Sequence, residues 1–149
     1  MAYEFRLTKQ IQFVDTDTAG IMHFTNFFRL MEITEHSFYR SLGFSVFSIQ
    51  SEDIIGFPRV QVSCDFKAPL YFEDKVEIHL LVRAISQKTI SYSFIFWKSE
   101  SESSEEVARG ELTVACVTMR KNRTQMKSVP IPNTIRNKLD IAPKELFNP

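Results

Sequence analysis

The chain has 149 residues, 44% hydrophobic and 24% charged, which is the size and composition of one globular domain. Its 18 lysines and arginines equal its 18 aspartates and glutamates, so the formal net charge is zero. A protein whose main partner is nucleic acid needs a basic excess, and this balance argues against that class. We predict a single domain over residues 1–149, with a core at about 3–120 and a tail at 121–149.

Neither a membrane segment nor an export signal is visible in the sequence. No apolar run approaches the ~20 residues that a membrane-spanning helix needs. The first residues, Met1 to Arg6, lack the basic stretch followed by an apolar stretch that is typical of secretory signals. The sequence therefore predicts a cytoplasmic protein with no membrane partner.

The first predicted elements are a strand and a long helix. Residues 3–14 alternate in polarity, with apolar residues of one parity at Phe5, Leu7, Ile11 and Phe13. Turn-forming residues at 15–20 end this pattern. Apolar residues then recur at helical spacing over 24–42, and Gly43 is well placed to end the helix. The apolar stripe is wider than a surface helix needs, so we expect a sheet to wrap this helix.

Four further strands are predicted after the helix. Their alternating runs lie at residues 60–66, 76–82, 90–96 and 107–119, and a short helix is predicted over Asn133–Leu139. The last connections are too short for parallel crossovers, which favours antiparallel pairing. This order predicts an α+β fold in which one antiparallel sheet packs around one apolar helix.

Most motifs of known catalytic chemistry are missing from the sequence. The three histidines, His23, His36 and His79, show no metal-ligand spacing with cysteine or carboxylate residues, so no metal site is predicted. There is no P-loop, no Gly-x-Gly-x-x-Gly and no Gly-x-Ser-x-Gly motif, and the whole chain has four glycines. We therefore predict no cofactor, and we expect any chemistry to come from carboxylates and the backbone.

Two acids, Asp15 and Asp17, lie between the first strand and the helix. The unpaired N–H groups at a helix N-terminus form an electropositive pocket that suits a developing oxyanion. A carboxylate opposite that pocket could attack a carbonyl carbon or activate water. Thioesters fit best, because a thiolate leaves without a general acid. However, Asp-x-Asp before a helix also serves in turns and caps, so the residues alone leave both interpretations open.

This segment resembles the signature of the 4-hydroxybenzoyl-CoA thioesterase family of hotdog-fold enzymes. In that family a strand ending in Asp-x-Asp-x-x-Gly is followed by Ile or Val, an aromatic pair, Asn and an aromatic residue. The matching residues here are Asp15, Asp17, Gly20, Ile21, His23, Phe24, Asn26 and Phe27. The resemblance extends over about residues 5–120 and includes Gly56-Phe57-Pro58 and Lys88-Thr89.

The resemblance implies a five-stranded antiparallel sheet around one central helix, a homodimer or homotetramer, and an acyl-CoA substrate. It implies that Asp17 is the catalytic nucleophile or general base, and that the backbone N–H of Phe24 polarises the thioester carbonyl. The candidate substrate-binding residues are His23, Asn26, Phe57, Pro58 and Lys88. A packed or capping role stays equally open for His23, and we expect Asn26 to hold the helix start through side-chain-to-backbone bonds.

Within that family, His23-Phe24 is nearer to the aryl-CoA branches, including 1,4-dihydroxy-2-naphthoyl-CoA hydrolases, than to the short-acyl branch. This pattern favours an aromatic or medium-sized acyl group. A non-catalytic hotdog module that binds an acyl group or a partner stays open as an alternative. A hotdog dehydratase ranks last, because only His23 lies where its histidine is expected. Glu32 and Glu35 are alternative second carboxylates, for which we expect a solvent or interface role.

Overall fold

The helix α1, Thr25–Ser41, lies at the centre of the protein. The computed structural model describes backbone and side chains for residues 1–46, 53–100, 103–120 and 125–149, and the backbone alone for residues 48–50. The buried positions of α1 recur every three or four residues, namely Phe27, Leu30, Met31, Thr34, Glu35, Phe38 and Tyr39. The helix is followed by Gly43 at φ +93°, a left-handed conformation that favours glycine.

Nine strands accompany the helix in the described part of the chain. In chain order they are β1 (Glu4–Gln10), β2 (Ser48–Gln50), β3 (Asp53–Gly56), β4 (Arg59–Phe66), β5 (Lys75–Ile85), β6 (Thr89–Ser99), β7 (Ser104–Ala115), β8 (Val117–Arg120) and β9 (Lys127–Ser128). Five of them form one antiparallel sheet in the order β1-β5-β6-β7-β4. The predicted sheet of five antiparallel strands around one helix is therefore confirmed.

Alternate side chains of the large sheet pack against α1. On β5 and β6 these are fully buried apolar residues, namely Ile78, Leu80, Val82, Tyr92, Phe94 and Phe96. The helix approaches the sheet closely at Gly110 of β7. A β-carbon at Gly110 would collide with the methyl group of Met31 and lie 3.1 Å from the carbonyl oxygen of Ser63. An added methyl group would therefore force the end of the Met31 side chain to move and would crowd the Ser63 carbonyl, so glycine allows the close approach of helix and sheet.

The second sheet was not predicted. It has the order β2-β3-β8-β9, and its strands are two to four residues long. The apolar run predicted as one strand over 107–119 is divided between β7 and β8. At the division the Cys116 N–H still donates to the carbonyl of Lys88, next to β6, at 2.7 Å, and from Val117 onward the chain pairs with β3 in the second sheet. A continuous apolar run cannot reveal such a change of partner.

Both ends of the chain also differ from the prediction. The first strand ends at Gln10, four residues earlier than predicted, and a 3₁₀ turn covers Phe13–Asp15. The C-terminal helix α2 covers only Asn133–Arg136. The last residues return to the outer face of the sheet, where Leu146 and Phe147 pack against a small apolar cluster that contains Leu81.

One carboxylate of α1, Glu35, is fully buried. Arg59 at the start of β4 donates to its two oxygens at 2.6 and 3.3 Å. Burial raises the pKa of Glu35 above its ordinary value of 4.5, because the loss of hydration outweighs the opposing effect of the Arg59 guanidinium. The folded protein therefore holds a proton on Glu35 more tightly than the unfolded chain does.

This pKa shift predicts a pH-dependent stability. The stability from the protonated Glu35 is fully present below the unfolded pKa and is lost as the pH rises through the folded pKa. We expect the free energy of unfolding to fall more steeply above pH 4.5 in the wild type than in Glu35→Gln. Urea unfolding of both proteins at several pH values, at one protomer concentration, measures this. A difference in unfolding free energy that is constant with pH would contradict it.

Candidate active site

Asp17 lies in a tight turn between the 3₁₀ turn and α1. Its N–H donates to the Ile21 carbonyl at 2.9 Å, and its carbonyl accepts from the Gly20 N–H at 3.0 Å. Gly20 has φ +81°, so the turn depends on a residue that tolerates the left-handed region. The Ala19 N–H donates to Asp17 Oδ1 at 2.8 Å, and Oδ2 accepts no hydrogen bond from any residue that the structure describes. One carboxylate oxygen is thus held and the other is available.

The start of α1 is fixed by Asp15 through its backbone. The Asp15 carbonyl accepts from the His23 N–H at 2.9 Å and from the Asn26 side-chain amide at 2.8 Å. The His23 ring hydrogen-bonds Thr25 Oγ1 at 2.7 Å and stacks on the Phe24 ring. The Phe24 N–H has no hydrogen-bond partner among the residues with described coordinates. This N–H, directly before the first helical residue, can donate to a bound ligand.

Asp17 and Phe24 line the same cleft, which has a volume of about 440 Å³. Its other lining residues come from the turn before α1, from α1 itself, and from the end of β4 and the segment after it, namely Ile21, Met22, Phe27, Phe66, Lys67, Ala68 and Pro69. The rings of Phe27 and Phe66 meet edge to face with centroids 5.0 Å apart. Apart from Asp17 and Lys67 the lining residues are apolar, and an apolar surrounding strengthens electrostatic interactions with a reacting group.

Lys67 is a residue of this cleft that sequence analysis missed. Its ammonium group forms an ion pair with Glu106, whose carboxylate also accepts from Arg109 at 2.7 and 3.2 Å. The hydrogen bonds from Arg109, together with Lys67, hold the pKa of Glu106 below its usual value. Phe66 and Lys67 come to the start of α1 only through the pairing of β4 with β7, which no local pattern indicates.

The other candidate residues lie outside the Asp17 cleft of the same chain. Phe57 and Pro58 line a second cleft of about 330 Å³, together with Glu32, His36 and Arg59 among others. The Phe57 ring is buried and stacks on Tyr39, with centroids 5.7 Å apart. Lys88 is exposed in the turn between β5 and β6. One protomer thus places Asp17 and Phe24 on one cleft. His23 and Asn26 lie at the same helix start without lining that cleft, and Phe57, Pro58 and Lys88 lie apart from it.

Two other kinds of site have no counterpart in the described residues. No three side chains of His, Cys, Asp or Glu lie close enough there to hold a metal ion. None of the helices in the described ranges is long and apolar enough to cross a lipid bilayer. The chemistry that these residues offer is that of a carboxylate and a helix N-terminus in an apolar cleft, which suits attack on an acyl carbonyl.

Comparisons with known proteins indicate the class of enzyme. A sequence model of the thioesterase-like superfamily matches residues 11–139. A 1,4-dihydroxy-2-naphthoyl-CoA hydrolase of Synechocystis sp. is 26% identical over 128 residues, covering 86% of this chain and 88% of the relative. The structure of a gentisyl-coenzyme A thioesterase is similar with a TM-score of 0.73 and 30% identity, covering 89% of this chain and 99% of that chain.

A further solved structure supports the fold alone. It is that of an aspartate-to-asparagine mutant of 4-hydroxybenzoyl CoA thioesterase complexed with 4-hydroxybenzoyl CoA, with a TM-score of 0.77 and 14% identity, covering 91% of this chain and 98% of that chain. This likeness confirms the predicted hotdog fold. Because the family model matches most of the sequence, the chain belongs to the thioesterase-like superfamily, which confirms the predicted family and the predicted class of enzyme, a thioester hydrolase.

Proposed function

We propose that the protein hydrolyses acyl-CoA thioesters to a free acid and CoA, with Asp17 as nucleophile or general base. The observation that carries this proposal is the cleft that Asp17 and Phe24 both line between apolar residues, while Asp17 Oδ2 and the Phe24 N–H form no hydrogen bond with any described residue. A carboxylate and an N–H donor at one site are the two groups that acyl transfer from a thioester requires.

The proposed reaction begins with the thioester carbonyl oxygen accepting a hydrogen bond from the Phe24 N–H. The Asp17 carboxylate adds to the carbonyl carbon, or it takes a proton from a water molecule that adds instead. The carbonyl electron pair moves to oxygen, where the N–H stabilises the charge. The carbon–sulfur bond then breaks, and sulfur leaves as a thiolate with the bonding pair. In the nucleophilic route, water hydrolyses the resulting acyl-aspartyl anhydride.

The relatives support CoA as the thiol and favour an aromatic acyl group. Proteins similar to this chain act on 1,4-dihydroxy-2-naphthoyl-CoA and gentisyl-coenzyme A by their names, and each of these carries an aromatic ring. The cleft offers the rings of Phe24, Phe27 and Phe66 as packing partners for such an acyl group. We infer an aromatic or medium-sized acyl group as the preferred substrate.

We further propose a homodimer, or a homotetramer built from such dimers, with β4 at the dimer interface. This strand is an edge of the large sheet and exposes Val60, Val62 and Phe66 by 59%, 47% and 49%. The exposed residues of the other edge, β1, are all polar. Exposed apolar side chains on an edge strand favour burial against another chain. A second copy that pairs antiparallel with β4 about a two-fold axis would bury them and pair the edge.

The remaining candidate residues have assigned roles within this proposal. His23 and Asn26 hold the start of α1 and contact the substrate from there. Phe57 and Pro58 reach the substrate only across the dimer interface, because they lie away from the Asp17 cleft of their own chain. Lys88, exposed on its turn, contacts the CoA phosphates as a point charge.

A panel of acyl-CoA esters with spectroscopic detection of the released thiol tests the proposed function. We expect turnover of aryl-CoA esters with a higher kcat/KM than that of acetyl-CoA. If no ester is turned over, although the protein binds acyl-CoA by calorimetry, the non-catalytic binding module is the better description.

A further inference from the structure

An arginine joins α1 to the segment that connects β3 and β4. Besides the two bonds to Glu35, Arg59 donates to the Phe57 carbonyl at 3.1 Å, and its guanidinium lies 3.5 Å from Glu32 Oε1. One planar group thus holds the helix and the Gly56–Pro58 segment at a set distance. We call the hydrogen bonds from Arg59 to Glu35 and to the Phe57 carbonyl the Arg59 clamp.

Stability alone does not explain the clamp. Burying a carboxyl group and part of an arginine costs hydration, and an apolar pair of similar volume is often as stable or more stable. The Glu35 side chain is fully buried, whereas that of Arg59 is 30% exposed, at the second cleft. Gly56, Phe57 and Pro58 form one wall of that cleft, and the clamp binds this wall through the Phe57 carbonyl. This position points to a role in holding the wall in place.

The proposed pairing of β4 with its copy brings the second cleft of one protomer to the Asp17 cleft of the other. If two β4 strands pair antiparallel about a two-fold axis near their middle, the Arg59 end of one strand lies near the Phe66 end of the other. Phe66 lines the Asp17 cleft, and Pro58 lines the second cleft. The wall held by the clamp in one chain therefore faces the catalytic aspartate of its partner.

We propose that Arg59 and Glu35 are positioning residues for the partner's active site, where the clamp sets the distance between the Gly56–Pro58 wall and the acyl group. This proposal rests on the proposed function and on its dimer. The clamp does not touch the reacting atoms, so it acts by orientation, and a misplacement of about 1 Å can cost on the order of 10²-fold in rate.

The double variant Glu35→Gln/Arg59→Met tests the proposal, because it removes both charges together and leaves no buried ion without a partner. We expect it to fold as a dimer and to lose at least about tenfold in kcat/KM on the best aryl-CoA, with a smaller loss on acetyl-CoA. The matched control is Arg6→Met/Glu77→Gln, which removes an ion pair of 2.6 Å between β1 and β5 and should keep wild-type kinetics.

Subunit mixing then shows whether the Arg59 clamp supports the active site of the partner chain or that of its own chain. A mixed dimer of the double variant and Asp17→Asn has one site with both lesions and one with neither. We expect equal amounts, after random exchange, to recover about a quarter of wild-type activity. Activity no higher than the average of the parents, with exchange verified by mass spectrometry, overturns the proposal, because the clamp then serves its own chain.

Two controls keep these outcomes distinct. If Asp17→Asn alone keeps wild-type activity, the catalytic role proposed for Asp17 fails, whatever the mixing result, and if the wild type turns over no acyl-CoA ester, the proposed function itself fails. If the double variant does not fold, Arg59→Lys replaces it in the same experiment, because lysine keeps the charge and loses the two-pronged geometry of the guanidinium. Wild-type kcat/KM in a folded Arg59→Lys dimer on aryl-CoA and acetyl-CoA alike would overturn the positioning role.

Discussion

Asp17→Asn is expected to lower kcat on the best acyl-CoA by about 10²–10⁴-fold, because an amide can neither add to the carbonyl carbon nor take a proton from water. The fold should be unchanged, since asparagine keeps the side-chain oxygen that accepts from the Ala19 N–H. Steady-state kinetics, with circular dichroism and sedimentation on the same samples, measure both effects.

The matched control for this variant is Asp15→Asn. Asp15 Oδ2 accepts from the Gln12 N–H at 2.8 Å, and Oδ1 lies 3.6 Å from Arg29 in an ion pair, so its carboxylate stabilises the turn. We expect Asp15→Asn to lower the melting temperature and to keep most of kcat. If Asp17→Asn retained activity within a factor of about three of wild type, far less than the loss of a general base costs, the catalytic assignment would be wrong.

Val62→Asp is expected to convert the protein into a folded monomer with little thioesterase activity. Val62 is 47% exposed in one protomer, so the chain itself tolerates a polar side chain there. Across the proposed two-fold axis, however, the aspartates of two β4 strands approach each other, and like charges on neighbouring strands repel. Without the partner, the Asp17 cleft lacks the Gly56–Pro58 wall, and substrate orientation is lost.

Sedimentation velocity and kinetics over a range of protein concentrations measure this result. Specific activity of the variant should rise with concentration, because mass action restores the dimer. Ile141→Asp is the matched control, since Ile141 is exposed to a similar degree and lies outside β4. A monomeric Val62→Asp with wild-type kcat/KM would show that each active site belongs to one chain.

The parts of the site that were predicted from sequence depend on short-range contacts. Asp15 binds His23 and Asn26 through its carbonyl, and Asp17 binds Ala19, Gly20 and Ile21. All these bonds span eleven residues or fewer, so the spacing of acids, glycine and helix start suffices to indicate the turn. The helix bounds were predicted to within one residue for the same reason, because apolar spacing and Gly43 are local signals.

The walls around that turn were not predicted, because they depend on strand register. Lys67 and Phe66 reach Asp17 only when β4 pairs with β7, and Glu35 meets Arg59 across 24 residues of chain. An alternating run shows which side chains face one way, and it contains no information about the neighbouring strand. The short strands of the second sheet have too few alternations to stand out from loops.

By itself, the sequence determined the fold class, the central helix and the acidic turn that precedes it, because periodicity and turn chemistry are properties of neighbouring residues. Only the tertiary structure decided what surrounds Asp17. It placed Phe66 and Lys67 in the cleft, buried Glu35 under Arg59, and left Phe57 and Pro58 in a separate cleft. These relations arise from packing between segments far apart in the chain, where burial and register decide which side chains meet.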